Sequence, residues 1–180
     1  AVYAAQVDRM DQGVGRVVEA LKRKGVFDNT LLLFLSDNGA CHEGGPLGFD
    51  RREGRGGELG GVDSFESYGV SWSNASNTPF RRHKHWVHEG GIATPLIVHW
   101  PGRVEPNSIV DDVGHIIDVM PTCCEVSGAQ YPSEYAGNAI KPMEGKSLVP
   151  VFEGRGRQPH EILHWAHCGN HAIRAGKWKL

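Results

Sequence analysis

Two polar side chains, Asp37 and Asn38, closely follow an apolar run at residues 31–35. Such a run is typical of a buried strand, and in open α/β sheets ligands bind outside the carboxyl ends of the strands. Carboxylate and amide oxygens are hard donors that suit Ca²⁺ or Mg²⁺ better than zinc. The pair therefore indicates a metal site at the end of a strand, although a simple Asx turn would show the same residues.

A second group of residues that could do chemistry is the basic run at positions 81–85, which contains Lys84 and precedes Glu89-Gly90-Gly91. A fixed ammonium group can stabilise the charge of an anionic substrate. Most basic runs are solvated surfaces, and that alternative applies to Lys84 as well. We interpret Glu89 as a structural residue that anchors the glycine turn, where the lack of side chains allows backbones to approach closely.

Histidines offer a different metal chemistry. His83, His85 and His88 are closely spaced, but this spacing without a cysteine or carboxylate ligand at a defined distance is a weak zinc signal. His42 stands three residues after Gly39 and could line the rim of a site at the strand end. A histidine in a surface loop is the equal alternative for His42. We therefore favour an oxygen-ligated cation over zinc.

The periodicity of the chain predicts the α/β elements that would position these residues. Apolar residues at the spacing of an amphipathic helix extend over residues 2–24, and the strand at 31–35 follows. The glycine-rich segment 39–77 lacks periodicity and is expected to be irregular, as functional or disordered loops are. The other predicted elements are a second buried strand at 96–98, a helix at 118–127, a loop at 129–159, and a hairpin of 171–174 with 177–180. Asp118 is predicted to be the N-cap of this helix, and Gly128 is predicted to end it.

The composition is that of a soluble globular protein. The chain has 180 residues and a formal net charge of −2, which gives no indication of nucleic acid or an anionic membrane as a partner. It contains no apolar run of membrane-spanning length and no signal-peptide pattern. The adjacent Cys123 and Cys124 are interpreted as small buried hydrophobic residues. Because the sequence opens inside a helical pattern and stops inside a strand pattern, we expect it to be a piece of a longer protein.

Four separated stretches together resemble the type I sulfatases, specifically their bacterial arylsulfatase-like branch. They occur in order and with compatible spacing across essentially the whole chain. One stretch alone would be a weak signal, whereas four in register are a strong one. The stretches are SDNGA at 36–40; NTPFRRHK at 77–84 with EGG at 89–91; TPLIVHWPG at 94–102 with IDVMPT at 117–122; and GKSL at 145–148 with GN at 169–170 and RAGKWKL at 174–180.

The resemblance implies an α/β fold of the alkaline-phosphatase type. In this fold a central mixed sheet is flanked by helices, and a small antiparallel sheet subdomain follows at the C-terminus. Residues 1–155 would form the later part of the catalytic domain, and residues 156–180 would begin the C-terminal subdomain.

The implied activity is hydrolysis of sulfate monoesters of aryl compounds or carbohydrates. In the family a divalent cation, usually Ca²⁺ with Mg²⁺ as the other possibility, is held by acidic residues from both halves of the chain, and Asp37 and Asn38 match the contribution of the later half. Lys84 stands five residues before Glu89, where a family lysine contacts the sulfate, and His42 is a weaker candidate for substrate contact. The family nucleophile is a formylglycine made within a C/S-x-P-x-R motif. This sequence contains no such motif, so we expect the nucleophile in a missing N-terminal half.

Two other functions stay open at the level of sequence. A phosphate or phosphonate ester hydrolase of the same superfamily would share the fold and the metal, with a plain Thr or Ser as nucleophile. A degenerate paralogue could retain the fold as a carbohydrate-binding surface without catalysis. By family analogy the protein would be periplasmic or secreted. The sequence does not distinguish an aryl, a glycan or a small alkyl sulfate as substrate.

Overall fold

The computed structural model describes residues 1–49 and 58–180. They divide into two compact units, one made of Ala1–Ile97 with Trp165–Ala172 and the other of Val98–His164 with Ile173–Leu180. The domain division predicted at residue 155 stays a prediction. In chain order the elements are α1 (Val2–Arg23), β1 (Leu32–Leu35), α2 (Gly69–Asn77), α3 (Glu89–Ile92), β2 (Leu96–His99), α4 (Val119–Ser127), β3 (Glu134–Tyr135), β4 (Asn138–Ala139), α5 (Val149–Phe152), β5 (Ile162–His167), β6 (Asn170–Ala175) and β7 (Trp178–Lys179).

Helix α1 confirms the amphipathic pattern at the start of the chain. It ends in a Schellman motif, in which Gly25 adopts φ +65° and donates to the Lys22 carbonyl while Val26 donates to the Leu21 carbonyl. Its last turn carries two basic residues, which complement the helix dipole. The apolar stripe of α1 lies at the surface of the described structure, with Val7, Met10, Val14 and Val17 between 40% and 57% exposed.

Strands β1 and β2 form a two-stranded sheet at the predicted positions. The prediction that both strands are buried is wrong, because Phe34 is 44% exposed and Ile97 is 61% exposed. Side chains alternate between the two faces of a strand, so a continuous apolar run places half of its members on each face. In the two-stranded sheet that β1 and β2 form in the described residues, the face that carries Phe34 and Ile97 is largely open to solvent.

Two segments predicted to be irregular contain short helices. Helix α2 lies inside the glycine-rich segment 39–77, of which residues 50–57 fall outside the described residues. Helix α5 and the β3–β4 pair lie inside the loop predicted at 129–159. The buried apolar side chains Leu148, Val149 and Phe152 belong to α5 or its start, so this one-turn helix carries much of the apolar core.

Helix α4 follows the prediction, with Gly128 in the left-handed conformation at its end. Its first residue is preceded by Asp118, but the Asp118 side chain does not cap α4 as predicted. Its carboxylate instead accepts hydrogen bonds from Arg157 at 2.7 Å and from the backbone N–H groups of His115 and Lys146 at 2.9 and 2.8 Å. The prediction that the two cysteines of α4 are buried is also wrong, since Cys123 is exposed and Cys124 half-buried.

Asp118 is the central polar group of the second unit. It is fully buried, and His160 Nε2 lies 2.8 Å from its Oδ1 atom. Burial alone would raise the pKa of Asp118, but the hydrogen bonds, led by the one from Arg157, outweigh burial and lower the pKa. The carboxylate therefore stays ionised and ties His115, Lys146, Arg157 and His160 together.

The last three strands form a sheet in the order β5-β6-β7. Strands β6 and β7 are antiparallel, with Arg174 opposite Lys179 and Ala175 opposite Trp178, and Gly176 adopts φ +57° in the tight turn between them. The predicted hairpin is confirmed, and β5 is an additional strand. Within the described ranges, no helix has both the length and the apolar character needed to cross a bilayer.

Candidate functional site

The turn after β1 presents the two predicted metal ligands. Asp37 is exposed and Asn38 is half-buried, whereas the next residue, Gly39, is buried. The apolar strand ends at Leu35, so the turn carries a carboxylate and an amide at consecutive positions just past the strand end. This arrangement agrees with the placement expected from the sequence, and the role of the two residues as ligands stays a prediction.

Gly39 lies directly against the Glu89-Gly90-Gly91 turn, which forms α3. The Gly39 N–H donates to the Gly91 carbonyl at 2.9 Å. A Cβ atom at position 39 would overlap the Gly90 carbonyl oxygen and would lie 2.8 and 2.9 Å from the Gly90 carbonyl carbon and the Gly91 Cα. Only glycine allows so close an approach of two backbones. The two glycine-containing motifs of the sequence therefore meet through their main chains.

Ala40 connects the same turn to Lys84. Its carbonyl oxygen accepts a hydrogen bond from the Lys84 N–H at 3.0 Å and another from Ser73 Oγ at 2.9 Å, and Ser73 is fully buried. Its N–H donates to Asn77 Oδ1 at 2.9 Å, while Asn77 Nδ2 donates to the Arg82 carbonyl at 3.2 Å. The backbone of Lys84 is thus fastened to the segment that directly follows Asp37 and Asn38.

Ser73 and Asn77 are positioning residues that the sequence did not single out. Both lie on α2, a helix that was not predicted because its sequence shows no helical periodicity. Asn77 was present in one of the stretches that carry the family resemblance, so its identity was a usable signal. Ser73 offered none, because a serine in a polar segment is ordinary. Together they fasten α2 to the turn after β1 and to the loop that leads to Lys84.

The Lys84 side chain is 46% exposed, and its ammonium nitrogen lies 3.9 Å from a carboxylate oxygen of Glu43, whose side chain is 66% exposed. An exposed pair at this distance contributes roughly 0–1 kcal/mol. The ammonium group is therefore weakly held and remains available to an anion that approaches from solvent.

His42 stacks on His83, the residue before Lys84. Their ring centroids are 3.8 Å apart with an interplanar angle of 33°, and His83 is only 6% exposed. Burial lowers the pKa of His42, and His83 and His85 lower it further by charge repulsion. The structure thus brings His42 into the neighbourhood of Lys84 as a largely neutral ring near pH 7.

The histidines considered for zinc are arranged differently from the sequence expectation. His83 Nδ1 faces the Lys84 carbonyl at 3.0 Å, and its ring lies against His42. In the part of the chain that the structure describes, the side chains that gather with metal-binding spacing are those of His85, His167 and Cys168. The trio of residues 83, 85 and 88 is therefore not a metal cluster in this structure.

The donor set at the end of β1 fits a hard cation. Asp37 offers an exposed carboxylate and Asn38 a neutral amide oxygen, and both are ligand types that Ca²⁺ and Mg²⁺ prefer. Ca²⁺ takes six to eight oxygen ligands, so these two residues would supply a minority of them. Neither side chain is a soft donor, and the pair does not resemble a zinc or copper site.

Comparison with known proteins finds relatives that match almost the whole chain. The model of the family described as Sulfatase matches residues 1–129. A sulfatase of Schizosaccharomyces pombe is 33% identical over 99% of this chain and 34% of its own length. The arylsulfatase of Klebsiella aerogenes is 34% identical over 87% of this chain and 35% of its own length. The steryl-sulfatase of Mus musculus is 33% identical over 98% of this chain and 24% of its own length. The chain spans about a third or less of the length of these relatives.

Solved structures show the same fold. The crystal structure of Ps i-CgsB in complex with k-i-k-neocarrahexaose superposes with a TM-score of 0.68 at 27% identity, covering 98% of this chain and 33% of that one. A Bacteroides thetaiotaomicron structure, described with the metabolism of multiple glycosaminoglycans, gives a TM-score of 0.63 at 22% identity, covering 94% and 31%. The fold class is therefore α/β and alkaline-phosphatase-like, as expected from the sequence.

Proposed function

The chain belongs to the sulfatase family, and from that premise we propose that the protein hydrolyses sulfate monoesters. The observation that carries the proposal is the hydrogen bond from the Lys84 N–H to the Ala40 carbonyl, at 3.0 Å. It holds the residue that bears a weakly paired cation against the turn that bears two oxygen ligands. An anionic ester that reached this turn would meet both.

In this proposal Asp37 and Asn38 hold a divalent cation, Ca²⁺ or Mg²⁺. When bound, such an ion acts as a Lewis acid toward oxygen atoms of the ester. Asp37 contributes the negative charge that binds a doubly charged ion. Asn38 contributes oxygen without charge, which keeps the site from repelling an anionic substrate.

Lys84 is proposed to contact the sulfate oxygens. Negative charge builds up on the bridging oxygen as the S–O bond breaks, and a fixed ammonium group lowers the energy of that charge. Because its pair with Glu43 is long and exposed, a sulfate group can take the place of the Glu43 carboxylate at little cost. His42, held neutral by burial and by its histidine neighbours, can offer a ring N–H to the substrate.

The nucleophile is proposed to be a formylglycine supplied by a part of the protein outside this sequence. No C/S-x-P-x-R motif occurs in the 180 residues. The relatives are about three to four times as long as the stretch that they share with this chain, which leaves room for such a motif.

A sulfated carbohydrate is the substrate class that we propose, with an aryl sulfate as the simpler surrogate. Ps i-CgsB, at 27% identity over nearly the whole chain, was crystallised with an oligosaccharide, and the Klebsiella aerogenes relative is an arylsulfatase. The exposed positions of Asp37 and Lys84 suit a substrate that arrives from solvent with a bulky leaving group.

The test compares Lys84→Ala with Arg81→Ala in the intact protein. Both changes remove one exposed cation from the same basic run, so net charge is matched. Loss of a charge-assisted contact to the developing charge is expected to lower kcat/KM for an aryl sulfate about 10²–10³-fold in Lys84→Ala, and Arg81→Ala should stay close to wild type. Lys84→Arg should recover only part of the loss, because a planar guanidinium does not replace a compact ammonium group.

Equal activity of the two alanine variants would contradict the role of Lys84, and a melting curve checks that each variant is folded. The same preparations are assayed on the matching aryl phosphate. Faster turnover of phosphate than of sulfate by the wild-type protein would favour the phosphate hydrolase of the same superfamily, and no turnover of either ester would favour a non-catalytic protein.

A further inference from the structure

Three exposed side chains with metal-binding atoms meet on the first unit. One ligand atom each from His85, His167 and Cys168 lies within 4.8 Å of the others. His167 Nε2 and Cys168 Sγ are 3.3 Å apart, and the rings of His85 and His167 meet edge to face with centroids 5.7 Å apart. We propose that these three side chains, which we call the soft-ligand cluster, bind Zn²⁺.

The backbone of the cluster is fixed by one side chain. Asn170 Nδ2 faces the carbonyl oxygen of each of its three residues, at 3.4 Å for His85, 3.2 Å for His167 and 3.3 Å for Cys168. His85 and His167 come from distant parts of the sequence, so this amide joins two segments that carry the donors. A preorganised set of donors binds a metal with a smaller entropic cost than donors that must first be brought together.

Two of the three residues are held in backbone conformations that L-residues seldom adopt. His85 has φ +93° and Cys168 has φ +47°. Such conformations are unfavourable and persist where the surrounding structure determines them. The His85 ring also packs edge to face on Trp86, with centroids 5.4 Å apart. The structure therefore fixes the backbone positions from which two of the three donors extend before any ion arrives.

Two imidazole nitrogens and one thiolate form a donor set that selects zinc over calcium or magnesium. Zinc bonds of about 2.0–2.3 Å separate neighbouring ligands by roughly 3.3–3.8 Å. The His167–Cys168 separation of 3.3 Å already meets this requirement. His85 must approach by at most about 1 Å, which its exposed side chain can do by rotation. A fourth position would remain open to water.

The soft-ligand cluster is chemically distinct from the oxygen pair Asp37–Asn38. Saturating Ca²⁺ fills oxygen sites but competes poorly for thiolate and imidazole. The experiment therefore titrates Zn²⁺ into the intact protein in excess Ca²⁺, against a chromogenic zinc indicator. One equivalent is expected to bind, and Co²⁺ in place of Zn²⁺ should show a thiolate-to-cobalt charge-transfer band.

Cys168→Ser and His167→Ala are each expected to weaken Zn²⁺ binding at least about tenfold, and Cys168→Ser should abolish the cobalt band. The matched controls are Cys123→Ser, an exposed cysteine on α4, and His164→Ala, an exposed histidine on the same strand as His167. Both should bind as the wild type does. Asn170→Ala should weaken binding about 10–100-fold while the cobalt band remains, because a positioning residue is lost and the ligands are not.

The proposal would be overturned by no stoichiometric binding in excess Ca²⁺, by wild-type affinity in Cys168→Ser, or by a cobalt spectrum without the thiolate band. Loss of Zn²⁺ binding in Asp37→Ala would also overturn it, since the ion would then lie at the oxygen pair. All three ligands are exposed, so their removal leaves no cavity, and circular dichroism confirms that each variant keeps the wild-type fold.

Discussion

Gly39→Ala tests whether the contact between the two glycine turns positions the site. The added Cβ would lie 2.8 and 2.9 Å from backbone carbon atoms of Gly90 and Gly91, and it would overlap the Gly90 carbonyl oxygen. Ordinary contacts to a Cβ begin near 3.4 Å. Every close neighbour is backbone, so no side chain can rotate away. The turn that carries Asp37 must move away from the Glu89-Gly90-Gly91 turn.

The required displacement is at least about 0.5 Å at the carbon atoms and larger toward the oxygen, which lengthens the 2.9 Å hydrogen bond from Gly39 to Gly91 beyond its useful range. A misplacement of about 1 Å between catalytic groups costs on the order of 10² in rate. Overpacking and the lost bond together should destabilise the fold by roughly 2–4 kcal/mol. We therefore expect kcat/KM for an aryl sulfate to fall about 100-fold at a temperature where the variant is folded.

The assay measures kcat/KM and the thermal midpoint Tm in the intact protein, with Gly15→Ala as the matched control. Gly15 lies inside α1, and a Cβ there has no neighbour within 4 Å. The control should keep full activity and gain up to about 1 kcal/mol from better helix propensity. Wild-type activity and an unchanged Tm in Gly39→Ala would refute the reasoning, because the two turns would then not need their close approach.

Two further predictions concern Asp37 and Asp118. Asp37→Ala should abolish sulfate hydrolysis and weaken Ca²⁺ binding measured by calorimetry, with Asn38→Ala milder, since only the first loses a charged ligand; unchanged calcium affinity would leave the strand end as a plain turn. Asp118→Ala should destabilise the protein by about 3–5 kcal/mol in urea unfolding, because it leaves the buried Arg157 guanidinium unpaired, whereas the exposed Asp112→Ala should be neutral. The pKa of Asp118 is lowered in the fold. The stabilisation that the ionised carboxylate gives the fold is therefore present above the ordinary Asp pKa of about 4 and is lost as pH falls through the folded pKa. An Asp118→Ala protein whose unfolding free energy falls at low pH as that of the wild type does would contradict this.

Local patterns were sufficient for the elements whose signals are local. The periodicity of residues 2–24 and the Gly25 stop specify α1, and Gly128 and Gly176 mark the end of α4 and the final turn. Helix α2 could not be predicted in this way. Its sequence, GVSWSNASN, is rich in residues that compete with the helix for backbone hydrogen bonds. The buried Ser73 bond to Ala40 helps to anchor it, and such a tertiary contact is invisible to periodicity.

Asp118 shows the same limit for a single side chain. Its position before a helix predicted a cap, which is a local role. Its actual partners, Arg157 and His160, come about 40 residues later, and no spacing rule connects them. Burial of an ionised carboxylate requires several donors, so the sequence could have suggested that a buried Asp needs partners but not which ones they are.

Glycine is the part of the sequence that indicates how the two segments of the candidate site approach each other. Asp37 and Lys84 are joined by main-chain atoms, namely Gly39 N–H to Gly91 and Lys84 N–H to Ala40, and main-chain atoms are the same in every residue. Glycine differs from the other residues in having no Cβ atom, and a Cβ at position 39, 90 or 91 would collide with backbone. A glycine in the sequence therefore indicates where two chain segments approach closely, while the side chains that flank it indicate the chemistry. The soft-ligand cluster has no such signal in the sequence. His167 and Cys168 are consecutive, but His85 lies far earlier in the chain, and the three are brought together where Asn170 faces their carbonyl groups. No spacing rule indicates that His85 joins the other two.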